Sequence, residues 1–352
     1  MGVPAAALVG IFAGSAIIIW VAGIALSDST DALDARLGLG SALGGLVLLS
    51  IATDLPEIAI TVSAAAGGHV GLAVGNLLGG IAIQTLVLAW LDARSEGPEP
   101  LSHRPGSLLL VIEGSTVVAV TVAAVMTSQL PESTELAGLS PGSVAIVLLW
   151  IGGLVIVNSA RKGLPWRVEA PGSARGRSAV ERSSGKEPQP LKSRGTAVVA
   201  ALFAAAAAAT LVAGVAIEES GSELASRIGL SGPVFGATIL AASTALPELS
   251  TGLASVKLGD YELAFSDIFG GNAFLPVLFV VADLVGGRPA LPSAAATDVW
   301  MAGLGVVLSA IYVTGLVLRP RRRVLGIGPD SAIAVLVYAL GIVGLAVIAY
   351  AM

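Results

Sequence analysis

The sequence reads ATDLPE at residues 52–57 and STALPE at residues 243–248. A constant offset of 191 residues separates the two copies, and the similarity continues without a gap through 52–84 and 243–275. Ten of the 33 aligned positions are identical, and four of those ten form the pattern T-x-L-P-E. Each copy places a proline and a glutamate inside a long apolar stretch. The two motifs therefore predict an internal repeat built around two interrupted helices.

The composition is that of a membrane protein. Of the 352 residues, 55% are hydrophobic and only 12% are charged, whereas soluble domains average about 25% charged residues. This excludes a water-soluble enzyme, a nucleic-acid-binding protein and a disordered chain. The 44 glycines suit helices that pack closely in lipid. The absence of cysteine and the presence of only two histidines exclude disulfides, thiol catalysis and a zinc site built on those residues.

Ten apolar stretches are long enough to cross a bilayer, for which about 20 residues are needed. The fold class predicted is an all-α polytopic membrane protein with ten transmembrane helices. The predicted spans are 5–26, 39–66, 70–91, 107–126, 142–159, 196–217, 231–256, 263–286, 296–317 and 331–351.

The basic residues predict the orientation. Alternate connections between the spans hold 17 of the 19 lysines and arginines, and such connections face the cytoplasm. The longest of them is a polybasic linker at 160–195, which we interpret as a solvated cytoplasmic segment. Five spans precede it, in 1–159, and five follow it, in 196–352. Because five is odd, the two halves form inverted repeats, and both termini lie outside a plasma membrane.

The chemistry of the motif points to a cation site. A proline within a helix removes a backbone hydrogen bond, and such a break is tolerated in lipid only where it faces protein or a wet cavity. Glu57 and Glu248 follow the two prolines, where an ionised carboxylate costs several kcal/mol unless it is paired, protonated or bound to a cation. The hydroxyls of Thr53 and Thr244 lie one turn away. Such oxygen ligands suit hard cations such as Ca²⁺ and Na⁺.

These residues resemble the two α-repeats of the cation/Ca²⁺ exchanger superfamily, which read roughly G-T-S-x-P-E followed by G-N-x-x-G-S-N. The resemblance covers essentially the whole chain. It implies a transporter without enzymatic activity or cofactor, in which spans two, three, seven and eight form the ion-binding core and the long tilted spans one and six slide across it. The matching residues are Thr53, Pro56, Glu57, Gly75, Asn76 and Gly79 in the first repeat, and Thr244, Pro247, Glu248, Gly270 and Asn272 in the second.

Several positions depart from the superfamily pattern. They are Gly80 and Gly271 in place of serine, Gln84 and Leu275 in place of an Asn or Asp cation ligand, Asp54 and Ala245 in place of serine, and Asp267 in place of asparagine. The site has therefore lost hydroxyl oxygens and gained carboxylates, which disfavours a sodium site built on hydroxyls and amides.

We hypothesise a secondary active antiporter that carries Ca²⁺ or another divalent cation between Glu57 and Glu248. Its counter-ion is H⁺ or Na⁺, and the acidic site favours H⁺. Asp54 and Asp267 are additional candidate ligands or proton acceptors, unless Asp267 caps its helix and Asp54 pairs with a hydroxyl. The partners are inorganic cations, protons and the lipid bilayer, with no nucleic acid, and the oligomeric state stays open. A Na⁺-coupled calcium exchanger, a Mg²⁺ or Mn²⁺ carrier and a cation channel are the alternatives.

One further acidic residue lies within a predicted span. Glu113 is a lone carboxylate in the fourth span, and an intramembrane carboxylate is a functional candidate by default. Two interpretations remain open for it, a proton route and a hydrogen-bonded structural residue.

Overall fold

The computed structural model describes residues 3–37, 50–135, 138–161 and 194–351, and within these ranges regular structure is helical apart from isolated bridges at Leu139 and between Val324 and Ile327. The helices are α1 (Ala5–Leu37), α2 (Leu55–Ala66), α3 (Val70–Arg94), α4 (Leu109–Thr127), α5 (Pro141–Arg161), α6 (Thr196–Ile228), α7 (Gly232–Phe235), α8 (Ala241–Thr244), α9 (Leu246–Leu258), α10 (Tyr261–Phe274), α11 (Leu278–Gly286), α12 (Ala296–Leu318) and α13 (Pro329–Ala351). Short 3₁₀ helices occupy Leu101–His103, Glu132–Thr134, Leu275–Val277 and Leu291–Ser293, and a π-helical turn occupies Gly236–Leu240.

Nine stretches of the described chain are long and apolar enough to cross a membrane. They coincide with nine of the ten predicted spans. The remaining one, predicted at 39–66, is described from residue 50 onward, where it is helical at 50–53 and again in α2. Its beginning, and residues 162–193 of the predicted linker, lie outside the described residues. The prediction of an all-helical polytopic membrane protein is confirmed.

Two helices are longer than the sequence predicts. The apolar stretches end near residues 26 and 217, but α1 and α6 continue to Leu37 and Ile228, so each has 33 residues. At 1.5 Å per residue each is about 50 Å long. The polar residues beyond each apolar stretch are compatible with a helix, and α6 ends only at Gly229, whose φ of +74° gives a left-handed cap. These two helices pack along each other.

The centre of the molecule is α3. Of the residues in the most apolar part of α3, 83% are buried, whereas only 17% of those in the most apolar part of α13 are buried. The largest core cluster packs Leu77, Leu78 and Leu88 of α3 against Phe265 and Phe269 of α10. Helices α2, α3, α9 and α10 are therefore enclosed by the others, and α12 and α4 cover the side of this core away from α1 and α6.

Glycines bring the long pair against the interrupted helices. A Cβ on Gly23 of α1 would lie 2.7 Å from the Cβ of Pro247, and one on Gly214 of α6 would lie 2.6 Å from the Cβ of Ala59. Gly23 and Gly214 are separated by the same 191 residues as the two motifs. The inverted repeat therefore extends from the motifs to the way in which α1 and α6 cross them.

Candidate cation-binding site

The two motifs interrupt their helices at equivalent residues. Asp54 (φ −81°, ψ 8°) and Ala245 (φ −76°, ψ 2°) leave helical geometry, and the new helices α2 and α9 begin at the next residue, with proline in second position. The glutamates therefore lie in the first turn of α2 and α9. A carboxylate is favoured there because the helix dipole presents its positive end.

Three carboxylates converge at these helix starts. Asp54, Glu57 and Glu248 each place one oxygen so that all three lie within 4.8 Å of one another. Their side chains are essentially inaccessible, with exposed fractions of 0%, 1% and 0%. None of the ion pairs between described residues involves them. At an effective dielectric constant of about 20, two charges at this distance repel by about 3.5 kcal/mol, so the cluster requires a cation or protons.

Three buried side-chain amides belong to the same inner helices, and one of them contacts the carboxylate cluster. Gln84 of α3 donates from Nε2 to Glu57 Oε1 at 3.4 Å, while Asn272 of α10 donates to the Thr85 hydroxyl at 2.9 Å. The oxygens of both amides have no hydrogen-bond partner, and neither amide atom of Asn76 has one. Leaving a buried polar atom unpaired costs about 1–3 kcal/mol. These oxygens are therefore free of protein hydrogen bonds.

The predicted threonines occupy equivalent positions in the two repeats. Thr53 donates its hydroxyl to the Ser50 carbonyl at 3.1 Å, and Thr244 donates to the Ala241 carbonyl at 3.2 Å. The Thr244 side chain also lies beside the Glu57 carboxylate. Each hydroxyl is thus oriented by its own helix, and its oxygen retains the capacity to accept or coordinate.

The glycines that replace the superfamily serines make room for the other unusual residues. A Cβ on Gly271 would lie 3.3 Å from Asp54 Oδ2, and one on Gly80 would lie 3.1 Å from Leu275 Cδ1. A side chain at residue 271 would thus crowd the third carboxylate.

Asp267 lies beside the cluster rather than within it. It is buried in α10, and its Oδ2 accepts a hydrogen bond from the Thr251 hydroxyl, while Oδ1 has no partner. The cap of α10 is Asp260, whose side chain accepts from the Leu263 N–H. Asp267 therefore does not cap the helix, and Thr251 holds its carboxylate next to the three central ones.

Two buried aspartates that the sequence analysis did not single out fix the ends of the core. Asp92 accepts from the N–H groups of Leu101 (2.8 Å) and Gly328 (2.5 Å). Asp283, 191 residues later, accepts from those of Ala290 (2.6 Å) and Ser140 (2.9 Å). Each thus ties the end of an inner helix to the connection that follows it and to the start of an outer helix. A search for acidic residues separated by the 191-residue offset of the repeat would have identified Asp92 and Asp283 from the sequence.

A third buried carboxylate joins α6 to the core. Glu218 accepts from the Ser63 hydroxyl at 2.8 Å and lies 3.1 Å from His69 Nδ1. The equivalent residue of the first repeat is Ser27, so the first repeat has no carboxylate at this position.

Comparison with known proteins gives the family of the chain. The sequence matches the family described as "Sodium/calcium exchanger protein" over residues 7–158 and 198–348, one match for each half. The chain belongs to the sodium/calcium exchanger family. This assignment confirms the predicted superfamily and identifies a membrane transporter of the cation exchanger type rather than an enzyme.

Solved structures share the fold of this exchanger. The H⁺/Ca²⁺ exchanger CAX is 16% identical with a TM-score of 0.68, and the match covers 99% of this chain and 84% of CAX. The sodium-calcium exchanger NCX_Mj, soaked with Na⁺ and Sr²⁺, is 17% identical with a TM-score of 0.59 over 96% of this chain and 97% of its own. Comparison with curated protein sequences gave no match.

Proposed function

We propose that this exchanger is a secondary active antiporter that moves Ca²⁺, or a divalent cation of similar chemistry, in exchange for protons. The observation that carries the proposal is the cluster of Asp54, Glu57 and Glu248, buried without a basic partner among the described residues. Repeat one supplies two of the carboxylates and repeat two supplies the third. The cation would therefore be held between the two inverted halves.

The charge and spacing of the cluster suit a divalent ion. Calcium binds oxygen at about 2.3–2.6 Å, so ligands on opposite sides of it are about 4.6–5.2 Å apart. The three carboxylate oxygens lie within 4.8 Å of one another. The unpaired oxygens of Gln84 and Asn272 raise the number of available ligands toward the 6–8 that Ca²⁺ takes.

Protons are the counter-ion that these residues favour. Carboxylates bind protons readily, and protonation removes the charge that attracts the cation, so the two ligands compete. The glycines at 80 and 271 remove hydroxyls on which a sodium site would draw. Sodium coupling is the second candidate, because NCX_Mj, whose structure is similar, is described as a sodium-calcium exchanger.

Alternating access would come from movement of α1 and α6 across the core. Both helices approach the interrupted helices closely at Gly23 and Gly214, where they present no side chain. Two hydrogen bonds cross the same interfaces, from Trp20 to Ser250 and from Ser63 to Glu218. We define the basic face as the end of the bundle with Arg94, Arg104, Lys257 and Arg319, and assign it to the cytoplasm. The 160–195 linker would lie on that face and both termini outside the plasma membrane, with the repeats at 1–159 and 196–352.

The test is uptake of radioactive Ca²⁺ into proteoliposomes under an imposed pH gradient or an imposed Na⁺ gradient. An antiporter coupled to protons accumulates Ca²⁺ above its equilibrium level when the lumen is acidic, and an ionophore that collapses the pH gradient abolishes the accumulation. Glu57→Gln and Glu248→Gln both lose uptake, whereas Glu219→Gln, at an exposed residue of α6, retains it.

Three results would contradict parts of the proposal. Uptake that requires Na⁺ and does not depend on pH would mean that the counter-ion is Na⁺ rather than H⁺. Flux that only equilibrates Ca²⁺ across the membrane identifies a channel. Normal transport by both glutamine variants would mean that the transported cation does not bind at this site.

A further inference from the structure

A polar contact joins the long helix α6 to the core at the end of the bundle opposite the basic face. Glu218 of α6 accepts a hydrogen bond from the Ser63 hydroxyl of α2 at 2.8 Å, and its other carboxylate oxygen lies 3.1 Å from Nδ1 of His69. Helix α3 runs from the turn that holds His69 to Arg94, which belongs to the basic face. The Glu218 side chain is 2% exposed, whereas the His69 side chain is 51% exposed. A buried carboxylate is thus contacted by a histidine that reaches solvent.

The contact lies in an otherwise apolar interface between α6 and α2. Ile217 of α6 belongs to one core cluster with Ile60 and Ala64 of α2, and Gly214 presents no side chain to α2. Apolar contacts are non-directional, so they permit two helices to slide past each other. A hydrogen bond to a charged group depends on geometry and is roughly twice as strong as one between neutral groups. The contacts of Glu218 therefore oppose a movement that its apolar neighbours allow.

The other half of the inverted repeat lacks this combination of side chains. At the offset of 191 residues, Ser27 corresponds to Glu218, Ala254 corresponds to Ser63, and Asp260 corresponds to His69. The Asp260 side chain instead caps α10. The contact is therefore specific to one face of the bundle, whereas the glycines of the long helices and the aspartates at the ends of the inner helices occur in both halves.

Within the described chain, the elements packed against α6 bring no second charged group to Glu218. These elements are α1, α2, α7 and the π-helical turn, and the last two have no ionisable residue. The first ionisable residue of α1 is Asp28, and the one ionisable residue of α2 is Glu57, in the cation site. A Cβ on Gly221 of α6 would lie 3.2 Å from the Phe12 ring of α1, and Asp28 is about 24 Å further along that helix.

The elements next to His69 are similarly poor in charge. Helix α3, which follows it, has no ionisable residue before Asp92. Helix α11 packs against α2 and α3, and its one ionisable residue is Asp283, whose oxygens accept hydrogen bonds from backbone N–H groups. Arg288 is exposed in the connection that follows α11.

The charge on His69 sets the strength of the contact. Among the other charged residues of this part of α6, Glu219 is exposed and Glu223 pairs with Arg227 at 2.8 Å. His69 is thus the basic group in contact with Glu218 among the described residues. Histidine changes its charge between about pH 5 and pH 8. Acid therefore makes the contact an ion pair, and the attraction is lost as the pH rises.

We propose that Ser63, His69 and Glu218 form a pH-sensitive latch between α6 and the core. Protonation of His69 from the face opposite the basic face strengthens the latch, opposes the movement of α6 and slows exchange. The latch rests on the proposed function, because it regulates the movement of α6 during cation exchange, but it does not depend on the identity of the counter-ion. It controls the rate of the conformational change and does not bind the transported cation.

The experiment measures exchange of external radioactive Ca²⁺ for internal Ca²⁺ in proteoliposomes at saturating Ca²⁺. His69→Gln can still donate a hydrogen bond to Glu218 but carries no charge. We expect it to exchange at least about threefold faster than the wild type at about pH 5.5 and at the wild-type rate at about pH 8, because an exposed ion pair changes an equilibrium by up to about fivefold. The effect of acid on the central carboxylates is common to both proteins, so it cancels in the ratio of their rates.

The pH is varied on one side of the membrane at a time, so the orientation of the protein must be known. The chain has no cysteine, and Gln129 is exposed just beyond the end of α4, at the same end of the bundle as His69. Labelling of a Gln129→Cys variant with a maleimide that cannot cross the membrane reports which face is outward. The ratio of rates should respond to pH on the face that carries His69 and not on the basic face.

Three companion variants separate the latch from a structural role. In a Glu218→Gln background, His69→Gln should change the rate at neither pH, because the carboxylate partner is absent. Ser63→Ala should speed exchange by the same factor at both pH values, since it weakens the latch without removing the titrating group. Glu219→Gln, which removes the neighbouring exposed charge of α6, should behave as the wild type at both.

Several results would overturn the latch. A ratio of rates that does not depend on pH, or that responds to pH on the basic face, excludes control by His69. Slower exchange in both His69→Gln and Glu218→Gln makes the contact a structural one. If the wild type exchanges Ca²⁺ normally, these results leave the proposed function intact, whereas a wild type that exchanges no Ca²⁺ overturns the proposed function and the latch with it.

Discussion

Replacing Asp54 by asparagine tests whether the third carboxylate belongs to the cation site. The substitution preserves the shape of the side chain and changes the cluster charge from −3 to −2. At an effective dielectric constant of about 20, it relieves about 3.5 kcal/mol of repulsion with each of Glu57 and Glu248, or about 7 kcal/mol in all. It also removes the attraction between one carboxylate and a divalent ion about 2.4 Å away, which is about 14 kcal/mol on the same scale.

The difference, about 7 kcal/mol, is an upper bound on the loss of binding energy, because the asparagine oxygen still offers a ligand. We therefore expect at least about a 100-fold rise in the KM for Ca²⁺, equivalent to about 2.7 kcal/mol. The variant without Ca²⁺ should be more heat-stable than the wild type, since repulsion has been relieved, while the stabilisation that added Ca²⁺ provides should shrink.

Transport in proteoliposomes gives the KM, and thermal unfolding in detergent with a chelator or with Ca²⁺ gives the two stabilities. Glu219→Gln, which removes one charge from an exposed position, controls for the overall charge. A KM within about threefold of the wild-type value, a difference below 1 kcal/mol, would refute the assignment of Asp54 as a ligand.

Three further predictions follow from the packing and the charge of the core. Gly23→Val and Gly214→Val place side chains where no room exists, so both should lower the transport rate and the unfolding temperature. The expected loss of folding free energy is about 1–3 kcal/mol. Gly10→Val, whose Cβ would have no atom within 4 Å, should alter neither quantity. Asp92→Ala and Asp283→Ala each orphan two buried N–H groups, so both should lower stability in thermal unfolding, by about 1–3 kcal/mol for each group left unpaired; an unchanged midpoint in both would contradict their role. Acidification should raise the KM for Ca²⁺, by up to about tenfold per pH unit for each competing proton, because protons and the cation bind the same carboxylates; a KM independent of pH would exclude this competition.

The sequence predicted the fold because lipid leaves few alternatives. A chain that must satisfy its backbone within the bilayer forms helices, so the apolar stretches gave nine of the spans found in the described chain. The repeated motif at Glu57 and Glu248 placed two acidic residues on two interrupted helices, and inversion of the halves brings such residues together. The identity of the central residues was thus accessible from repetition and from the cost of charge in lipid.

The remaining features depend on contacts between distant residues. Hydropathy does not register the last turns of α1 and α6, which are polar yet helical. The role of Asp283 depends on the N–H of Ser140, which lies 143 residues away. Likewise, only the packing of helices shows that a side chain at residue 271 would lie against the Asp54 carboxylate.

Equilibrium binding of radioactive Ca²⁺ to the purified exchanger tests the central claim most directly, because it requires no assumption about the counter-ion. We expect saturable binding of Ca²⁺ that protons displace and that Glu57→Gln and Glu248→Gln each abolish, with Glu219→Gln binding as the wild type does. Undiminished Ca²⁺ binding by both glutamine variants would contradict it.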